Sequence, residues 1–297
     1  MIEIRHLCKY FDQTKAVEDL TVTVAAGITG LVGQNGAGKS TLLRVIAGVY
    51  KPTSGEVYVN GNPCNSQLSK QEVFFLSDDP YAPRGANIAG TLDFYRGLCD
   101  VDVKEFYRLI DTFRLPLGRS VTTFSKGMRR QMFVALALSV KANYLLLDEA
   151  FDGLDPLVID AIKGAIIHAS EMGKVIIISS HNIFALQRLV DRFIVISNGR
   201  LAKEEDAQEM GTEFIKFQAA FQGQVDERDI ARLGYTVVSF RRIGSVTHFV
   251  IVGTEHAQNA INDALHPLFL EPVPLDPDEI VMLEMKMAQQ NGGDFHA

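Results

Sequence analysis

Gly33-Gln34-Asn35-Gly36-Ala37-Gly38-Lys39-Ser40 follows the apolar run Ile28 to Val32 and opens a stretch, Lys39 to Ala47, that reads as a helix closed by Gly48 and Pro52. The segment has the form G-x-x-x-x-G-K-[ST], set where that form has meaning, between a strand and a helix. Its residue types have a chemical logic. Glycines at 33, 36 and 38 let the backbone curl, so that N–H groups along Gln34, Asn35, Ala37 and on to Thr41 face one concavity and bind phosphate oxygens. The helix behind adds the positive end of its dipole. Lys39 is expected to reach the β- and γ-phosphates of a nucleoside triphosphate, and the Ser40 hydroxyl to ligate Mg²⁺.

Two further apolar runs, Tyr144 to Leu147 and Val175 to Ile178, are hydrophobic on both faces, as strands of a parallel sheet covered by helices are. Short β-like runs fill residues 1–32, and helical patterns alternate with the strands further on, so the body reads as α/β with a mixed sheet. About 85–140 is expected to be a helical subdomain, with Val103, Phe106, Ile110 and Phe113 on one apolar face. Asp148 and Glu149 cap the run at 144–147. At a strand tip beside the phosphate loop, Asp148 is placed to hold Mg²⁺, and Glu149 to activate the water that attacks the γ-phosphate.

Phe124-Ser125-Lys126-Gly127-Met128 opens an apolar helix and resembles the signature of the ATP-binding cassette (ABC) family, whose form is L-S-G-G-Q. Asp152-Gly153-Leu154-Asp155-Pro156 resembles that family's D-loop, His181 its switch histidine, and Phe11 the aromatic that stacks on adenine. The resemblance covers roughly residues 1–211. It implies a P-loop NTPase cassette that binds ATP and Mg²⁺ and packs head to tail with a second cassette, the same chain or a close relative. Each ATP would then contact the Ser125, Lys126 and Gly127 of one chain and the phosphate loop of the other, with Asp155 of the D-loop also among the nucleotide-binding residues and His181 sensing the γ-phosphate. Four positions depart from the family's pattern: Asp78 where Gln or another acid is usual near the metal, Lys126 and Met128 in the signature, and Ala150 after Glu149. Lys126 is expected to bring a cation near the nucleotide of the opposite chain. The SKGM-type signature is most like cassettes that serve bacterial ABC-2-type export permeases. The resemblance therefore implies an ATPase peripheral on the inner face of the cell membrane, held there by a separately encoded permease that docks near Asp78 to Leu117. The alternative is a soluble cassette ATPase of translation or DNA repair, a class that carries two cassettes or a long coiled coil.

Composition bounds these readings. Of 297 residues 47% are hydrophobic and 22% charged, the balance of a globular chain. The longest apolar stretch, Met132 to Leu138, is far short of the roughly 18 residues that cross a bilayer, and MIEIRHLCKYFD lacks the apolar core of a secretion signal. Three scattered cysteines offer no zinc or disulfide framework. The net charge of −7 argues against non-specific nucleic-acid binding. It is unevenly spread: residues 1–211 hold 24 acids and 23 bases, whereas 212–297 hold 12 and 6. That acidic tail, 212–297, is expected to be a separate α+β domain of order β-α-β-β-α-β, ferredoxin-like, with strands at 213–221, 235–240, 246–252 and 268–273 and helices at 226–233 and 255–266. It reads first as a dimer-stabilising or regulatory module, with a plain structural cap as the alternative. Its last seven residues read as frayed.

Overall fold

Alternating apolar residues in the first 24 positions build two long antiparallel strands, β1 (Ile2–Phe11) and β2 (Thr14–Val24), which bury Ile2, Ile4 and Leu7 against Val17, Leu20, Val22 and Val24. The computed structural model describes residues 1–181, 183–186, 188–253 and 256–291. Next come the fully buried β3 (Ile28–Val32), the Gly-rich loop and α1 (Lys39–Ile46). Strands β4 (Ser54–Val59) and β5 (Asn62–Pro63) complete an antiparallel sheet of order β2-β1-β4-β5. Then α2 (Gln67–Glu72) leads into β6 (Val73–Leu76).

The helical region consists of α3 (Ile88–Arg96), α4 (Val103–Thr112), a single 3-10 turn at Val121–Thr123 and α5 (Lys126–Ser139). Phe106, Ile110 and Phe113 turn inward as expected, and Leu109 joins them. Helix α5 is buried on all sides from Arg130 to Ser139, which accounts for its unbroken hydrophobicity. Beyond it run β7 (Tyr144–Leu147), α6 (Pro156–Glu171), β8 (Val175–Ser180), α7 (Ile183–Leu186), β9 (Arg192–Ser197) and β10 (Arg200–Asp206).

These strands form a second sheet of order β10-β9-β3-β8-β7-β6, parallel except for β10 at one edge. Strand β8 lies between β3 and β7, so the segments after Val32, Leu147 and Ser180 meet at one rim. In open α/β sheets the carboxyl rim is where ligands bind. One buried cluster joins both sheets and α1, with Leu31, Leu42, Leu43, Val57, Leu146, Ile177 and Ile194 among its members.

The chain divides into two compact units, Met1–Ala207 and Gln208–Ala297, a few residues before the expected boundary at 211. In the second unit β11 (Phe214–Ala220), α8 (Glu227–Ala231), β12 (Thr236–Ile243), β13 (Val246–Val252), α9 (Ala257–Leu265) and β14 (Phe269–Val273) form a split βαβ arrangement, its sheet antiparallel and ordered β12-β13-β11-β14. The hairpin differs from its expected form. Arg241 to Ile243 stay in the strand, because the turn needs only Gly244 and Ser245, with Gly244 at φ +64°. A further helix, α10 (Pro277–Asn291), was unforeseen; its Leu283 covers the sheet face that carries Phe214, Val238 and Val250. Residues 292–297, most of the tail read as frayed, lie outside the described residues, as does 255 at the start of the expected helix.

Candidate nucleotide site

The loop after β3 demands glycine. A Cβ on Gly38, at φ +106°, would sit 2.3 Å from the Ala16 carbonyl oxygen, and one on Gly33 equally close to that of Ile196. Gly38 is also the N-cap of α1, so no side chain occupies the first N–H groups of that helix. Lys39 is buried. Its Nζ donates to the carbonyls of Gly33 (2.7 Å) and Gln34 (3.2 Å) and stands 3.6 Å from Glu149 Oε1. The loop residues Asn35 to Thr41, with Thr14 to Ala16, Asp78 and Glu149, line a cavity of about 310 Å³.

Asp148 is fully buried at the tip of β7. Its Oδ1 accepts from Ser40 Oγ (3.0 Å) and Ser179 Oγ (2.6 Å), while its Oδ2 has no hydrogen-bond partner. An orphaned, buried carboxylate oxygen beside a serine hydroxyl fits a hard divalent cation. Among the described residues no group of three His, Cys, Asp or Glu could form a metal cage. Mg²⁺ does not need one, since it is commonly held by one or two carboxylates together with water and phosphate oxygens. Glu149 follows at φ +50°, an unusual backbone for a non-glycine residue and one that recurs at functional sites. Its Oε2 lies 2.9 Å from His181 Nδ1, so this carboxylate sits between Lys39 and His181.

Other expected residues stand apart. Asp78 borders the cavity with an exposed side chain, 3.7 Å from Arg44. Phe11, half-exposed at the end of β1, packs edge-on against Tyr50 with Lys9 Nζ 4.8 Å above its ring, outside the cavity lining. Ser125 caps α5, accepting from the Met128 N–H at 3.1 Å. Neither Ser125, Lys126 nor Gly127 lines the phosphate-loop cavity of its own chain. Lys126, read as a cation for the opposite nucleotide, stands 2.7 Å from Asp152 of its own chain, and its hydrogen bond holds that carboxyl below the usual aspartate range. Asp155 is exposed, and its carbonyl opens α6.

Three contributors escaped the sequence reading. Ser179 bridges the two acids, since its Oγ also accepts from the Glu149 N–H at 2.9 Å. Arg130 is buried, and burial lowers its guanidinium pKa; it donates to the carbonyls of Ser77, Asp78 and Asp148. Arg44 faces Asp78 from α1. The available signal was slight: two serines ending an apolar run, and an arginine inside a hydrophobic helix.

Residues 17–152 match the model of the ABC transporter family. An uncharacterized ABC transporter ATP-binding protein of Methanocaldococcus jannaschii is 29% identical over 206 residues, 67% of this chain and 75% of that one. The uncharacterized ABC transporter ATP-binding protein YcbN of Bacillus subtilis is 28% identical over 281 residues, 89% of each chain. A solved ATP-binding subunit of an ABC transporter superposes with a TM-score of 0.65 at 26% identity, covering 71% of this chain and 91% of that one. Family match, relatives, fold and rim geometry agree: residues 17–152 are an ATP-binding domain of the ABC transporter family, set in a cassette fold.

Proposed function

We propose that the chain hydrolyses ATP as the energy-supplying subunit of a transporter, dimerising head to tail around two ATP and driving a separately encoded membrane permease, in the direction of export. The observation that carries this reading is an incomplete site. Phosphate loop, Asp148, Glu149 and His181 meet at one rim, while the signature at the start of α5 lines none of that cavity. A second chain is the simplest source of the missing signature, and an ATP held from both sides would join the dimer while hydrolysis released it.

Within each site the backbone N–H groups of residues 34–41 and Lys39 would hold the phosphates, with Lys39 leaving its loop carbonyls to do so. Ser40 and Asp148 would hold Mg²⁺, and Asp78 could approach it through water; when bound, the ion neutralises charge on the phosphate oxygens. Glu149 accepts the proton of the attacking water, and His181 orients that carboxylate through Oε2. Asp155 would lie at the dimer interface and Phe11 against the base. For the permease, the helical region offers Tyr81, Phe94 and Leu98, exposed apolar side chains of which the first two have ring centroids 5.4 Å apart. Among the described residues no helix is long and apolar enough to cross a membrane, which agrees with a membrane partner on a separate chain.

The test is Mg²⁺-dependent ATP turnover by the purified chain, alone and with a co-purifying membrane protein. Turnover in either setting supports the reading. Its absence in both, or recovery of the chain with ribosomes or DNA, contradicts it.

A further inference from the structure

The peptide that joins Asp148 to Glu149 is gripped at both ends. Its N–H, on Glu149, donates to Ser179 Oγ at 2.9 Å, and its carbonyl, on Asp148, accepts from Arg130 Nη1 at 3.4 Å. The Ser179 hydroxyl in turn donates a hydrogen bond to Asp148 Oδ1 at 2.6 Å, so one fully buried oxygen serves both acids. The sheet explains why Ser179 is there. Leu147 pairs with Ile178, which places Asp148 beside Ser179 one step beyond the ladder. There the Asp148 N–H still bonds to the Leu76 carbonyl, while the next peptide turns away to a side chain. That turn puts Glu149 at φ +50°, with its carboxylate between Lys39 and His181.

From this geometry we infer that Ser179 is a positioning residue: its hydroxyl, with Arg130 on the opposite edge, locks the 148–149 peptide and so aims the Glu149 carboxylate at the attacking water. The inference rests on the reading of Glu149 as general base. Ser179 is fully buried, with its hydroxyl bonded to Asp148 Oδ1 and to the Glu149 N–H. It acts through the backbone of Glu149 and the side chain of Asp148. Without the hydroxyl, the Glu149 N–H loses its partner in a partly buried setting and the left-handed backbone loses the bond that sustains it. Displacements on the ångström scale at a reacting group are enough to cost about 100-fold in rate.

The test is Ser179→Ala in the full chain, with two readouts. Steady-state hydrolysis is expected to fall about 30- to 100-fold in kcat while the ATP concentration for half-maximal rate stays within about twofold, the mark of a loss confined to the chemical step. Site-resolved amide exchange is expected to show the Glu149 N–H exchanging at least about tenfold faster, with β7 and β8 otherwise protected as before. Turnover within twofold of wild type, or an unchanged Glu149 amide, overturns the inference. So does loss of protection across the whole sheet, which would mark a merely structural serine. Should the wild-type chain hydrolyse no ATP with or without its membrane partner, the ATPase reading falls and takes the role of Ser179 with it. The amide readout still reports the hydrogen bond by itself.

Discussion

Two helix N-termini in this molecule, those of α1 and α5, are closed in opposite ways. Helix α1 starts after Gly38, which has no side chain to offer, so its first N–H groups are left for a ligand. Helix α5 starts after Ser125, whose hydroxyl already accepts from Met128 N–H. A terminus without a side-chain cap gains from binding phosphate, whereas a capped one is stable as it stands. The difference teaches a division of labour. Under the proposed function the α1 end, backed by Lys39 and the acids at the tip of β7, would make the primary capture of nucleotide, and the α5 end would contact a nucleotide already held by a second chain.

The sharpest way to break that comparison lies at the chemical step. Glu149→Gln is expected to bind ATP normally and lose about 100- to 1000-fold in turnover, read by single-turnover hydrolysis. Lys39→Ala should weaken ATP binding to the single chain about 100-fold, or about 2.7 kcal/mol, in a fluorescent-nucleotide titration. Ser125→Ala probes the opposite terminus. Nucleotide affinity of the isolated chain should stay within about twofold, while the lost cap costs about 1 kcal/mol of stability, measured by denaturant unfolding. Equal losses of affinity in Lys39→Ala and Ser125→Ala would dissolve the distinction between the two ends.

The smallest effect belongs to Lys126→Ala. The pair with Asp152 is largely exposed, and exposed pairs contribute about 0.2–1 kcal/mol. Because Lys126 holds the Asp152 carboxyl below its ordinary range, the contribution is present above the ordinary aspartate pKa and vanishes as pH falls through the lowered one. The variant and wild type should therefore differ near neutral pH and converge in acid, in unfolding curves taken at both.

How much of this was legible beforehand depends on the range of the interactions concerned. The phosphate loop could be read because glycine positions, lysine and serine lie within eight residues and obey local backbone chemistry. The strands at 144–147 and 175–178 were visible as apolar runs, although β8 extends to Ser180 because its last two residues are buried serines. Strands β4, β9 and β10 drew no expectation. In β4 and β10 exposed residues such as Glu56, Arg200 and Glu204 break up the hydrophobic pattern, whereas in β9 the buried apolar run Phe193 to Ile196 was there to be read. Helix α10 was likewise missed, although Pro277 at its first turn and the spacing of Ile280, Leu283 and Met287 were there to be noticed. Ser179 and Arg130 were beyond reach for a different reason. Their roles follow from strand order and from a helix crossing the tips of β6 and β7, neither of which a single sequence displays.

The central claim, that the α1 end captures ATP and the α5 end of a second chain completes the site, is tested most directly by the molecular mass of Glu149→Gln in solution. With ATP and Mg²⁺ the mass should double, two nucleotides should be retained per dimer, and Ser125→Arg in the same background should bind ATP yet remain a monomer. A chain that stays monomeric at saturating ATP, or a dimer indifferent to Ser125→Arg, would contradict the account.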